Sequence, residues 1–281
     1  MSDVKISAAD VKKLRDATGS GMMDCKKALT ESGGDFDGAI EYLRKKGQKM
    51  AGKRADREAK EGVVIALTSD NKDKGIVVRL GCETDFVAKN EDFVTMAKEF
   101  ANIALENMPA SVEDLNALPY KDGLTIAQKI EEYTGVIGEK IEISKYANLE
   151  ANGGQVVPYI HMGYRAGVIV AMNKDNADFT DAGKDVAMQV AAMRPLALDK
   201  GNVDPSIVEK EIEIGKDIAR QEGKPEAIIE KIAMGKLNKF YKDNTLMNQQ
   251  FVKDSSMTVA SYLQSKDKDL TITNFKHIEL G

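Results

Sequence analysis

A pattern that occurs twice constrains this chain more than any other feature. From residue 62 the apolar residues run as strands: Gly62-Val63-Val64-Ile65-Ala66-Leu67, a turn at Ser69-Asp70-Asn71, then Gly75-Ile76-Val77-Val78. A helical stripe follows through Phe93, Met96, Ala97, Phe100, Ala101, Ile103 and Ala104. The same order returns at Gln155–Ile160, a turn around Gly163, Gly167-Val168-Ile169-Val170, and a helix through Val186, Ala187, Val190 and Ala191. Residues 75–78 align with 167–170 at an offset of 92, whereas Asp92-Phe93 and residues 97–101 align with Asp178-Phe179 and 183–187 at an offset of 86. The core is therefore expected to be two related α/β halves. The first half carries six more residues between strand and helix, a surplus that includes Glu83-Thr84-Asp85-Phe86-Val87-Ala88-Lys89. Such connections commonly need only about 2–6 residues. A longer, partly apolar loop on a rigid scaffold is a place to look for function.

Other segments flank this core. Ser7 precedes an apolar pattern at Val11 and Leu14; after Thr18-Gly19-Ser20-Gly21 come Met22, Met23, Cys25, Ala28 and Leu29. Ser32-Gly33-Gly34-Asp35 breaks that run, and Phe36, Ala39, Ile40 and Leu43 form a third stripe, so the first 47 residues predict a small three-helix bundle. Residues 44–60 hold eight basic residues against Asp56 and Glu58. That composition reads as a linker or solvated helix, with contact to RNA or an acidic partner as the alternative. Asp204 and Pro205 suit the cap and first position of a helix. Gly223-Lys224-Pro225 closes it and opens another, so an antiparallel helical hairpin of coiled-coil character is expected. A helix near Thr258–Gln264 and a strand over Leu270–Leu280 complete the chain.

Composition removes several classes of function. The 281 residues include only two His and two Cys, with no Trp, so His161, His277, Cys25 and Cys82 cannot build a His or Cys/His metal cage. Two cysteines give no disulfide framework, which fits a reducing, cytoplasmic setting. Net charge is −5, with no overall nucleic-acid footprint. Met1-Ser2-Asp3-Val4-Lys5 has no apolar leader, and no 18-residue apolar run occurs, so neither secretion nor a membrane span is expected. Phosphate-binding glycine loops and nucleophile elbows are missing too. No catalytic residue, metal ligand or cofactor is expected, and the chain does not read as an enzyme. What stands out instead is apolar side chain where solvent should be. Phe86 either tucks back to cap the next helix or anchors in a partner pocket. Of Met22 and Met23, one is expected to pack in the bundle and the other to offer a pliable contact.

Two long strings carry a resemblance. Leu14-Arg15-Asp16-Ala17-Thr18-Gly19-Ser20-Gly21-Met22-Met23-Asp24-Cys25-Lys26-Lys27-Ala28-Leu29 and Glu83-Thr84-Asp85-Phe86-Val87-Ala88-Lys89-Asn90 are similar to the two signatures of the bacterial translation elongation factor Ts family, the guanine-nucleotide exchange factors of elongation factor Tu. The order of the remaining parts agrees, over residues 3–280.

The resemblance implies an α+β fold and the following division: a ubiquitin-associated-like three-helix domain at 1–50, a basic linker at 51–61, a core N-subdomain at 62–145, a core C-subdomain at 146–203 and 244–281, and an inserted dimerisation hairpin at 204–243. It further implies that Thr84, Asp85, Phe86 and Val87 dislocate Mg²⁺ from the partner GTPase, the phenylalanine acting as a wedge. Leu14, Arg15, Met22 and Met23 would lie near a contact to the partner's nucleotide-binding domain, as would Ile137 and Gly138. His161 and Met162 would form a turn that touches another of its domains. Two departures stand out. Arg79-Leu80-Gly81-Cys82 replaces the more usual Val-Glu-Val-Asn, altering the lead-in strand rather than the wedge. The sequence also stops at Gly281, where many members continue into a C-terminal helical module, so a smaller contact area is expected. Two rival readings follow from the flanks: an adaptor binding ubiquitin-like partners through residues 1–50, or an RNA-associated protein using residues 44–60.

Overall fold

Local sequence signals place the first three helices. The computed structural model describes residues 6–281, so the leader reading of Met1–Lys5 lies outside the described residues. Helix α1 (Ala8–Thr18) opens with a reciprocal capping box: Asp10 N–H donates to Ser7 Oγ at 3.1 Å and Ser7 N–H to Asp10 Oδ2 at 3.2 Å. It stops at Gly19, whose φ of 70° suits a residue without Cβ. Helices α2 (Met22–Glu31) and α3 (Phe36–Lys53, capped by Asp35) follow. Val11, Leu14, Cys25, Ala28, Leu29, Ala39 and Leu43 form the buried centre of the bundle.

Helix α3 runs farther than the sequence suggested, and its basic half is not simply solvated. Gly47 is buried because a later helix, over Ile126–Ile137, crosses it there. A Cβ on Gly47 would stand 2.7 Å from Glu131 O, and one on Gly135 would stand 2.6 Å from Gly47 Cα. The expected linker at 51–61 thus begins as the last turn of α3. The residues beyond are pinned by hydrogen bonds: Arg79 Nη2 donates to Ala59 O and Lys60 O, and Lys140 Nζ to Ala55 O and Arg57 O, all at 2.9 Å.

Strands β1 (Glu61–Thr68) and β2 (Lys74–Cys82) come next. Gly62 has φ 139° and would drive a Cβ to 2.1 Å from Leu80 O, so no other residue fits that close approach. A one-turn helix α4 (Asp85–Ala88) leads to α5 (Glu91–Asn107), α6 (Val112–Ala117), α7 (Ile126–Ile137) and β3 (Glu142–Glu150). The strand order is β1-β2-β3. The second copy repeats it. Strands β4 (Gln155–Ile160) and β5 (Ala166–Met172) pair antiparallel, Gln155 opposite Met172 and Ile160 opposite Gly167, and α8 (Thr180–Met193) follows. After α9 (Pro205–Gln221), α10 (Glu226–Asn244), β6 (Gln250–Phe251), β7 (Asp254–Thr258) and α11 (Val259–Lys266), strand β8 (Ile272–Glu279) completes the order β4-β5-β8. In both sheets the third strand joins the hairpin's second strand, and the fold is α+β with a duplicated core.

Two packing units result. One takes the described residues through Ile65 with Val78–Tyr146 and Glu279–Gly281; the other takes Ala66–Val77 with Ala147–Ile278. In the second, Val157, Val168, Val170, Val186, Val190, Phe251, Leu263 and Ile272 share one core. Helices α9 and α10 form the expected hairpin. Pro205 sits at the first position behind the Asp204 cap, and Gly215 approaches Ala233 so closely that a Cβ would stand 3.0 Å from its Cα. Among the described residues, no helix is long and apolar enough to cross a membrane.

Candidate functional site

The six surplus residues form an ordered turn. Cys82 ends β2 with its thiol fully buried and donating to Thr84 O at 3.2 Å. Burial, reinforced by the Glu139 and Glu61 carboxylates, pushes that thiol up to about 12, so it stays protonated and is no nucleophile. Thr84 caps α4, its Oγ1 accepting from Val87 N–H at 3.5 Å. Asp85 and Lys89 pair across one turn at 2.6 Å, and the hydrogen bond from Lys89 holds the Asp85 carboxyl below its ordinary value. Helix α4 buries no residue, and Phe86 is 83% exposed. The ring does not tuck back. An aromatic ring presented on a preformed turn has the form of an interface anchor.

Two carboxylates hold this turn to the end of α7. Glu139 Oε1 accepts from Thr84 Oγ1 at 2.7 Å, and its Oε2 accepts from Thr84 N–H at 3.0 Å. Reciprocally, Glu83 Oε1 accepts from Lys140 N–H at 2.6 Å and from Arg54 Nη1 at 2.6 Å. Burial works against the Glu83 charge, yet the Lys140 amide and the Arg54 guanidinium outweigh it and hold the carboxyl below its ordinary value. Ile137, half-buried, and Gly138, the α7 cap with φ 81°, directly precede Glu139. The structure thus brings Thr84–Val87 and Ile137–Gly138 together. The end of α1 lies nearby, since a Cβ on Gly19 would meet Val136 Cγ1 at 3.9 Å.

The remaining sequence candidates divide. Met22 (47% exposed) and Met23 (76%) both face solvent on the first turn of α2, so neither fills the bundle as one was expected to. Leu14 is fully buried in the bundle core and offers no surface, while Arg15 beside it is exposed. His161 and Met162 belong to the second unit, at the turn between β4 and β5. Met162 is 85% exposed, and His161 Nδ1 shares a 3.0 Å hydrogen bond with Tyr159 Oη. Among the described residues no group of three or more His, Cys, Asp or Glu is placed to hold a metal. Sequence reasoning missed Glu139 and Arg54. Glu139 follows the helix-ending Gly138, but its hydrogen bonds span 55 positions and leave no local signal.

Known proteins match this sequence along nearly its whole length. A family model described as elongation factor TS matches residues 83–281, beginning at the first residue of the Phe86 turn. Elongation factor Ts of Cytophaga hutchinsonii is 53% identical over 277 residues, which is 98% of this chain and 99% of the relative. The protein of that name from Christiangramia forsetii is 52% identical, covering 99% of both chains. That of Flavobacterium psychrophilum is 54% identical over 98% of this chain and 99% of its own.

Proposed function

The chain belongs to the elongation factor Ts family, and on that premise we propose that it is a guanine-nucleotide exchange factor of elongation factor Tu, acting in the cytoplasm without catalytic chemistry of its own. The observation that carries this reading is Phe86, 83% exposed on a turn that the rest of the protein holds in place. A bound nucleotide is retained by phosphate contacts and by Mg²⁺ bridging its oxygens. Thr84, Asp85, Phe86 and Val87 wedge into the partner and move the elements that hold this metal. Charge neutralisation at the phosphates falls, and GDP leaves so that GTP can rebind.

Magnitudes require more than the wedge. Every tenfold weakening of nucleotide binding needs about 1.4 kcal/mol of differential interaction. Burying one phenylalanine offers about 1.5–3 kcal/mol. The bundle (residues 1–50) contributes through Arg15, Met22 and Met23, the core through Ile137–Gly138, and the β4–β5 turn through His161 and Met162. Linkage makes the effect reciprocal, so nucleotide must weaken factor binding by the same ratio. The hairpin at 204–243 self-associates in this reading; Ile214, Ile228 and Met234 are 40–45% exposed on it.

Release of labelled GDP from elongation factor Tu, with and without this protein, tests the proposal. The full chain should accelerate release, and Phe86→Ala should cut the acceleration at least tenfold at unchanged factor concentration. Equal rates with and without the wild-type chain would remove the exchange reading.

A further inference from the structure

A four-residue helix cannot hold an exposed ring in one place by itself. Helix formation needs several turns to offset the cost of its nucleus, and α4 has one turn and no buried residue. Phe86, 83% exposed, gains no packing that would fix its direction. The aim of the ring must therefore come from anchors at the start of the turn, and the structure supplies one with unusual geometry. Glu139 spends both carboxylate oxygens on a single residue, Thr84: one on its backbone N–H at 3.0 Å, the other on its hydroxyl at 2.7 Å. Two bonds from one rigid planar group fix orientation as well as position, and both are charge-assisted. Glu83 closes the loop from the other side by accepting the Lys140 amide at 2.6 Å.

We propose that Glu139 is a positioning residue for nucleotide exchange: by gripping Thr84 at two points it pre-sets the Phe86 turn in the geometry that engages the partner GTPase. The inference rests on the exchange reading and deepens it. A turn without this grip must be ordered at the moment of engagement, so part of the interaction free energy is lost to entropy. Initial docking through Met22 and Met23, which sit on another element, is retained. The deficit therefore falls on the rate reached at saturation rather than on the concentration needed to reach it.

The test is labelled-GDP release from elongation factor Tu with the full chain titrated to saturation. Glu139→Ala should lower the maximal stimulated rate about tenfold, equivalent to about 1.4 kcal/mol, with the half-saturating concentration within about twofold of wild type. Thr84→Val, which keeps the side-chain shape and is insulated from any folding defect of the Glu139 variant, should lower it about threefold, and Thr84→Ser should recover most of that loss. In a Phe86→Ala background, Glu139→Ala should change the rate less than twofold, because a group acting through the ring has nothing left to position. An unchanged maximal rate in Glu139→Ala, or full multiplication of the two effects in the double variant, would overturn the assignment. A wild-type chain that fails to accelerate release at all would overturn the exchange reading, and this inference with it, before any variant is measured.

Discussion

The two copies of the core solve the same connection differently. In each, the first residue after the hairpin's second strand ties that strand end to the segment entering the third strand. In the first copy Glu83 accepts the Lys140 amide at 2.6 Å; in the second Asn173 Oδ1 accepts the Thr271 amide at 2.9 Å. Each copy then turns toward its helix with the same device. Asn90 accepts from Asp92 N–H at 2.8 Å as the cap of α5, and Asn176 accepts from Asp178 N–H at 3.0 Å as the cap of a 3-10 turn (Ala177–Phe179) that leads into α8. Between these shared points the second copy crosses directly, with Lys174 paired to Asp267 at 2.6 Å. The first inserts a turn and lifts Phe86 into solvent. The shared parts build scaffold; the part present in only one copy leaves the Phe86 ring 83% exposed. Duplication thus supplies an internal control, and it can be pushed until it breaks.

The largest expected effect contrasts two phenylalanines seven positions apart. Phe93 is fully buried on α5, so Phe93→Ala should destabilise the protein by about 3–5 kcal/mol. Phe86→Ala should shift stability by less than about 0.5 kcal/mol while crippling exchange. Urea unfolding of the two variants, set beside GDP-release rates, separates scaffold from working surface; a large stability loss at Phe86 would contradict the division. A middle-sized effect sits where the copies align but differ. Ala97 on α5 corresponds to Gly183 on α8, where a Cβ would meet Val157 Cγ2 at 2.6 Å and Met172 Sδ at 2.8 Å. Because valine has little rotamer freedom, Gly183→Ala should cost about 1–3 kcal/mol through overpacking. The mirror change Ala97→Gly should cost about 1–2 kcal/mol, from helix propensity together with the lost burial of its methyl group. Melting temperatures of the pair report which copy packs its helix more closely.

The smallest effect concerns pH. Cys82 ends the lead-in strand of the first copy, where Met172 ends that of the second, so only the first carries a titratable group there. Its thiol is pushed up to about 12 from an ordinary value of 9.0. Between those values the unfolded chain has lost this proton and the folded chain keeps it, so folding stability falls as pH rises through that window. Below pH 9 both states are protonated and the group contributes no slope. Urea midpoints from pH 8 to pH 10.5 should therefore decline less steeply in Cys82→Ala than in wild type, and parallel declines would refute the assignment.

Much of the scaffold was legible because packing writes itself into spacing. The strand residues 62–67 and 167–170, the helical faces of α5 and α8, and the Asp204-Pro205 start of α9 are local patterns, and local sterics enforce them. Strand β3 was missed because Glu142–Glu150 alternates poorly, with only Ile143 and Leu149 buried. The β6–β7 hairpin escaped because Asp254–Thr258 is polar and held largely by backbone pairing. Helix α7 does carry a local signal, the Thr125–Gln128 capping box. The length of α3 depended on a contact no local rule contains, the close crossing of Gly47 and Gly135.

Sequence alone determined the duplication, the six-residue surplus and the placing of Phe86 within it, since each is a matter of order along the chain. It also carried the signature strings that identify the family. Tertiary structure decided which of those residues face solvent. Leu14 and Met23 are both apolar in one signature, yet one is sealed in the bundle and the other lies in solvent, because helix α1 turns Leu14 inward while Met23 sits on the outer face of α2. Only folding brought Glu139 to Thr84. Hydrogen bonds act over about 3 Å in space, whatever the separation along the chain.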